Sequence, residues 1–359
     1  VAFRSELNKG EIMDLTTGIA TETNTDLLRA IQAGLDNLTK PMGSLGVLER
    51  IVMQYCSCYN DAKAAISSAH IYVFAADHGI NAEGVSSFPK EVTQQMVMNM
   101  LSGGAAINVL SRNAGIGCTV VDAGVDYDFE EHPGLLKRKV ARGTNNFLHG
   151  AAMTSEQCTM ALQVGYDIGA QTQSSLIGIG EMGIGNTTAA AALAGLLLGR
   201  NASETAGMGT GASGAVFEKK CQVIDMSLEL HRKEWDNSPI DALRRVGGLE
   251  IAAMTGTIFG AASKKKPVVV DGYIATSAAL TAVKLFPSIK KYLFFGHVSH
   301  ESFHRSMLSE IGAEPILDLG MRLGEGTGAA LAIQIIMQAM NCYHQMATFS
   351  SAGVSNKDD

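Results

Sequence analysis

The spacing of apolar side chains divides the chain into two kinds of segment. Near the start, Leu27, Leu28, Ile31, Leu35 and Leu38 recur three and four residues apart behind the cap-like pair Thr25-Asp26, the period of an amphipathic helix. Residues 1 to about 65 therefore read as helical. Lys40-Pro41-Met42-Gly43-Ser44-Leu45-Gly46 interrupts them with two glycines and a proline, which require a turn before a second helix from about Val47. From Ala69 the period changes. Short β-rich runs at 71–76, 119–123, 176–179, 268–270 and 292–295 each end in glycine or an acid and alternate with longer helical stretches. Such alternation makes an α/β fold, a parallel sheet covered by helices on both faces. The apolar run 329–346 is long enough for a helix of several turns and is expected to return to the N-terminal helices. The expected division is a small helical domain built from both termini, 1–65 with 330–359, beside an α/β domain, 66–329. Residues 350–359 are polar and expected to fray.

Ligands of such sheets bind at the carboxyl ends of the strands. Those ends carry Asp77-His78-Gly79, Asp122-Ala123-Gly124, Gly180-Glu181, Asp271-Gly272 and Gly296-His297. A further segment, Leu323-Gly324-Glu325-Gly326-Thr327-Gly328, sets one carboxylate among glycines just before the C-terminal helix. Glycine on either side removes bulk and admits backbone angles other residues avoid, so a substrate can come up to Glu325, the candidate base. The plainer alternative is a helix start where Glu325 only favours the positive end of the dipole.

Gly178-Ile179-Gly180-Glu181-Met182-Gly183-Ile184-Gly185-Asn186-Thr187-Thr188 is a strand end, a glycine-rich turn and a helix start. Amides there can hold a phosphate, with the Thr187 and Thr188 hydroxyls as added donors; the alternative is a purely structural tight turn. The segment lacks the lysine of a P-loop and a matching dinucleotide unit, so ATP and NAD are not indicated. Glu181 can instead accept hydrogen bonds from sugar hydroxyls. Gly296-His297-Val298-Ser299-His300-Glu301 follows another strand and can add donors to the same phosphate. Its histidines lack a second set of ligands, so no metal is expected. Lys220, downstream of residues 207–211, can neutralise a phosphate or lie solvated at the surface. Asp77 and His78 are either an acid–base pair or a loop-ordering pair, since neighbours in a strand point oppositely. Pro89 suits the first turn of a helix running through Val97.

Composition narrows the class. The chain has 359 residues, 46% hydrophobic, with a net charge of −7 and pI near 5.7; it carries no long basic stripe. That argues against nucleic acid and anionic membranes as partners, and any phosphate must be gripped locally. Six cysteines are scattered without a CxxC pair, the pattern of reduced core thiols, and a cytoplasmic location is expected. No signal-peptide pattern or uninterrupted apolar run of roughly 18 residues is present.

Taken in order, Lys40 to Gly46, Ala76-Asp77-His78-Gly79, Glu83-Gly84-Val85-Ser86, the Gly180 to Thr188 turn, Val246-Gly247-Gly248, Met254-Thr255-Gly256, Asp271-Gly272 and Met321-Arg322-Leu323-Gly324-Glu325-Gly326 resemble the nicotinate-nucleotide:dimethylbenzimidazole phosphoribosyltransferase family, from about residue 25 to 345. The resemblance implies a Rossmann-like sheet with a small helical domain, usually a dimer, of like copies or of paralogues. It implies transfer of the phosphoribosyl group of nicotinate mononucleotide to an aromatic acceptor for cobamide synthesis, with no cofactor. Glu325 matches the catalytic glutamate. Gly183, Gly185, Asn186, Thr187, Thr188, Gly296, His297, Ser299 and Lys220 would hold the phosphate, and Glu181 the ribose. Acceptor-binding falls to Ser87, Phe88, Met96 and Met182. Members that use benzimidazole carry polar side chains where this chain has Phe88 and Met96, and leucine where it has Met182. Bulky, soft groups there favour a smaller ring such as phenol or p-cresol, or else are tolerated packing changes. A non-catalytic paralogous subunit and a nicotinate-nucleotide sensor are the remaining alternatives.

Overall fold

The computed structural model describes residues 15–355 apart from 23, 210, 212 and 213. The helical expectation for the first fourteen residues, the frayed end 356–359 and Thr210 lie outside the described residues. Among the described residues, seven strands, β1 (Ala69–Ala76), β2 (Gly117–Gly124), β3 (Leu135–Lys137), β4 (Leu176–Met182), β5 (Val268–Val270), β6 (Leu293–His297) and β7 (Pro315–Leu317), form one sheet in the order β3-β2-β1-β4-β5-β6-β7. Every neighbouring pair is parallel. The α/β expectation holds, and the five strands read from the sequence are the central ones. β3 and β7, of three residues each, were not among them.

Alternation along each strand feeds two cores. Ile71, Val73 and Ala75 of β1, with Val269 and Phe294, pack on one face against the helices Thr25–Asp36, Val47–Tyr59, Ala106–Asn113 and Thr327–Gln345. Phe74 and Ala76, with Ile177, Ile179, Val268, Val270 and Phe295, pack on the other against Ser155–Gln171, Asn186–Leu198, Leu249–Ser263 and Tyr273–Leu285. Helix Leu249–Ser263 is apolar nearly all round and wholly buried except at its last residue, as a helix inside a large core should be. It lies against Ser155–Gln171 with the backbones touching. A Cβ on Gly165 would stand 1.7 Å from the Ala253 carbonyl oxygen, and one on Gly256 1.9 Å from that of Leu162.

The two ends of the described chain meet on the first face. Thr39 N–H donates to the Ala347 carbonyl at 3.0 Å, Leu38 pairs with Thr348 in an antiparallel bridge, and the His344 ring bonds the Ala64 carbonyl at 2.9 Å. Three local expectations shift. The cap of the first helix is Asn24, one residue before Thr25-Asp26, accepting from Leu27 N–H at 3.0 Å. Pro89 precedes the helix Glu91–Leu101 by two residues. Phe349–Ala352 forms a helical turn capped by Thr348, because the Thr348 hydroxyl accepts from Ser351 N–H. No helix among the described residues is long and apolar enough to cross a membrane.

Candidate active site

The chain winds outward from β1 to β3, returns through the centre to β4, and winds the other way to β7. Where the order reverses, the loops leaving adjacent strands part and leave a crevice at their carboxyl ends. Its walls come from the β4 turn (Glu181 to Thr187), the start of helix Tyr273–Leu285, the loop after β6 (His297, Ser299, Glu301) and the segment Arg322 to Gly324.

The β4 turn is held open by glycine. A Cβ on Gly183 would sit 2.4 Å from the Ala76 carbonyl oxygen, and Gly185, with φ of 97°, starts helix Asn186–Leu198 with no side-chain cap. The first amides of that helix therefore have no capping side chain, the arrangement suited to an anion. Ile184 N–H is taken by the Thr93 hydroxyl at 3.0 Å. Thr187 lines the crevice, and its hydroxyl accepts from Lys220 Nζ at 3.1 Å, which also donates to the Gly207 carbonyl at 2.8 Å. Lys220 is buried rather than solvated. Burial pulls its ammonium pKa down to about 8, with the Glu301 charge opposing. Thr188 is fully buried behind the wall, its hydroxyl unpartnered.

Asp77 and His78 serve different partners. Asp77 Oδ2 accepts from Asp126 N–H at 2.8 Å, whereas His78 Nε2 lies 2.7 Å from Glu250 Oε1 in a wholly buried pair beneath the glycine turn. A Cβ on Gly183 would come within 3.4 Å of His78 Nε2, and one on Gly248 within 2.5 Å of Glu250 Oε2.

Glu181, the last but one residue of β4, has its carboxyl buried; Asn186 Nδ2 donates to its Oε2. Burial pushes its pKa up to about 8, the Asp271 charge adds to this, and the Asn186 hydrogen bond opposes it. Facing it is the segment that sequence alone singled out. Gly324, Glu325 and Gly326 have φ of 85°, 64° and 86°, three left-handed residues in a row. For Glu325 that conformation costs about 1–2 kcal/mol relative to an ordinary one. A Cβ on Gly324 would lie 2.4 Å from Glu181 Oε1, and one on Gly180 2.3 Å from Gly326 N, so β4 and the loop meet through hydrogen alone. The Glu325 carboxyl is buried, and its Oε2 has no hydrogen-bond partner. Burial raises its pKa, the Ile107 N–H at the start of helix Ala106–Asn113 opposes the rise, and the Asp271 charge adds to it. Asp271, just past β5, accepts from Gly326 N–H at 3.1 Å and Ala329 N–H at 2.9 Å.

At the end of β6, His297 Nδ1 lies 3.2 Å from the Val298 carbonyl, which makes Nδ1 the donor, and Nε2 has no hydrogen-bond partner. Ser299 faces the crevice, and its hydroxyl accepts from Glu301 N–H at 3.4 Å. Gly296 lies out of the crevice, under the C-terminal helix, where a Cβ would meet Gly328 at 3.1 Å. Among the described residues no three His, Cys, Asp or Glu side chains gather as metal ligands.

Of the acceptor residues, Met182 lines the crevice and Met96 is half-buried against the same apolar core. Ser87 and Phe88 do not line it: both are exposed, Phe88 at 42%, and the Ser87 hydroxyl is 3.5 Å from the Gly211 carbonyl. Sequence reasoning passed over Asp271 as anything but a strand end, and it gave Arg322 no role. Arg322 lines the crevice and donates to the Gly209 carbonyl at 3.1 Å. An arginine in an exposed-looking loop carries no periodic signal.

The phosphoribosyltransferase family model DBI_PRT matches residues 20–354. The nicotinate-nucleotide–dimethylbenzimidazole phosphoribosyltransferase of Chlorobaculum tepidum is 49% identical over 337 residues, 93% of this chain and 95% of that protein. The protein of the same name from Geobacter metallireducens is 48% identical over 336 residues, again 93% and 95%. Among solved structures, the phosphoribosyltransferase of that name from Thermus thermophilus superposes with a TM-score of 0.87 at 40% identity, covering 93% of this chain and 99% of that one. Agreement at that identity over nearly the full length of each leaves one conclusion: this chain belongs to the nicotinate-nucleotide–dimethylbenzimidazole phosphoribosyltransferase family.

Proposed function

We propose that the chain transfers the phosphoribosyl group of nicotinate mononucleotide to an aromatic acceptor, forming the α-ribotide used in cobamide synthesis, with Glu325 as general base. The observation that carries this reading is the Glu325 carboxyl itself: buried, left with one oxygen unpartnered, and carried one residue past Gly324, which lines the crevice that the β4 glycine turn opens while Glu325 itself does not. The uncapped helix start at Gly185, Thr187, Ser299 and Lys220 supply the phosphate's donors and charge, and Glu181 faces the ribose.

The chemistry needs one base and no acid. Nicotinate leaves from a pyridinium nitrogen already carrying positive charge, so the C1–N bond breaks with its electron pair and no proton is required. The acceptor nitrogen attacks C1 from the opposite face, which inverts β to α. Its second nitrogen then loses a proton to Glu325. A carboxylate whose pKa is raised by burial is a stronger base for that transfer.

The relatives' names favour dimethylbenzimidazole as acceptor. A second reading, phenol or p-cresol, has Met182 on the crevice wall and the half-buried Met96 in its favour; Glu325 would then take the proton of the attacking oxygen. The reading places the protein in the cytoplasm, working as a dimer with a like or paralogous copy. The test is nicotinate release by the purified chain from nicotinate mononucleotide, with dimethylbenzimidazole and p-cresol supplied separately, alongside Glu325→Gln. The expected result is turnover with the first acceptor and its collapse in the variant with nucleotide binding intact. Turnover with p-cresol alone reverses the acceptor reading. Full activity of Glu325→Gln removes the base, and no turnover with either acceptor leaves a binding protein or silent paralogue.

A further inference from the structure

We infer that Asp271 positions the base: its carboxylate, reaching from the end of β5 to the backbone on the far side of Glu325, locks Glu325 in its left-handed conformation. The inference rests on Glu325 being the base, and it names a residue outside the motif that carries the carboxyl.

Helix Thr327–Gln345 starts at Gly326, which has no side chain with which to cap it. Asp271, 55 residues earlier in the chain, does so instead. Its Oδ2 accepts from Gly326 N–H at 3.1 Å and its Oδ1 from Ala329 N–H at 2.9 Å, and Gly328 N–H is directed at it as well. The carboxylate thus also meets the positive end of the helix dipole. On the near side of Glu325, the Gly324 carbonyl accepts from Thr327 N–H at 3.1 Å and from the Thr327 hydroxyl at 2.7 Å. Glu325 is therefore pinned one residue before and one residue after itself. A non-glycine residue leaves the left-handed region once such anchors go.

The convergence of amide donors also selects the residue type. A carboxylate is acceptor on both oxygens, whereas an asparagine turns an NH2 toward one of the amides. The site is electrostatically loaded in the same sense. Facing Glu325 are the Asp271 and Cys118 side chains and the Ile107 N–H, with Glu181 of β4 across Gly324. Facing Asp271 are His297 of β6 and Glu181; burial raises the Asp271 pKa, and His297 and the amides of Ala329, Gly326 and Gly328 oppose the rise. Burial is the main cause of the raised Glu325 pKa, and Asp271 when ionised adds to it, so the residue that aims the base also makes it more basic.

The experiment compares Asp271→Asn and Glu325→Gln in the full chain, measuring nicotinate release across pH 5–9 and affinity for nicotinate mononucleotide. For Asp271→Asn, affinity should stay within about threefold while kcat falls about 10- to 100-fold, the scale of a slightly misplaced reacting group. The acid limb of kcat should also move to lower pH, because the like charge that opposed Glu325 ionisation is gone. A residue that only stabilised the fold would not move that limb. Wild-type kcat and limb in Asp271→Asn, with Glu325→Gln inactive, overturns the positioning role alone. Activity in Glu325→Gln defeats the base reading, and this inference with it. Should Asp271→Asn not fold, hydrogen exchange in the wild-type chain decides. Gly326 and Ala329 amides as protected as mid-helix amides support the lock, and loop-like exchange at Gly326 refutes it.

Discussion

Gly180→Ala tests how closely the Glu325 loop depends on its seat. Gly180 lies within β4 with ordinary backbone angles, so alanine brings no conformational strain of its own, only a methyl group. That methyl would lie 2.3 Å from Gly326 N and 2.4 Å from Gly326 Cα, against the 3.4 Å at which ordinary contact begins. The three nearest atoms are all backbone, which cannot rotate aside, so the loop must lift by about 1 Å. A displacement of that size at a reacting group costs roughly 100-fold in rate, or about 2.7 kcal/mol. Overpacking should remove a further ~1–3 kcal/mol of stability. Gly178→Ala is the control, two residues earlier on the same strand face. Its methyl meets Ile71 Cγ1 at 2.7 Å and Ile333 Cδ1 at 3.2 Å, core side chains rather than the Glu325 loop's backbone. Nicotinate release at saturating substrate and thermal melts would be compared for the two. The expected pattern is lost stability in both and lost kcat in Gly180→Ala alone. A kcat for folded Gly180→Ala within twofold of wild type would refute the reasoning.

Two further predictions follow from buried charges. Glu181 has a folded pKa of about 8, above its unfolded value, so its contribution to stability is complete below about pH 4.5 and is lost as pH rises through 8. Glu181→Gln should therefore gain on wild type between those limits, by an amount on the order of a few kcal/mol; urea unfolding at pH 5 and pH 9 measures it, and a pH-independent difference would count against it. Lys220, with its pKa pulled down to about 8, should lose its charge just above neutrality. KM for nicotinate mononucleotide should then climb as pH passes about 8 in the wild type and also in Glu181→Gln, which lacks the other group titrating there, and should already be high at pH 7 in Lys220→Met. A Lys220→Met KM equal to wild type at pH 7 would take the lysine away from the phosphate.

Local pattern carried a good deal of this protein. Five central strands and the helices between them were legible because burial on one or both sides of an element imposes a period on neighbouring residues. The β4 turn and the Glu325 segment were legible because glycines cluster only where backbone must bend left or approach closely, and both conditions are met there. β3 and β7 were not, since three residues at a sheet edge are too few to show a period. Nor did any spacing disclose that Gly165 and Gly256 let two helices touch backbone to backbone. The partners of buried polar groups were least accessible of all. His78 finds Glu250 172 positions away, and Asp271 caps a helix 55 positions on. A buried carboxylate must be satisfied, but which donors satisfy it is decided by what the strand order brings to one crevice. The sequence by itself therefore determined the sheet, the glycine turns and the carboxylate beside them; only the tertiary structure decided how that carboxylate is aimed, because the groups that aim it are neighbours in space alone.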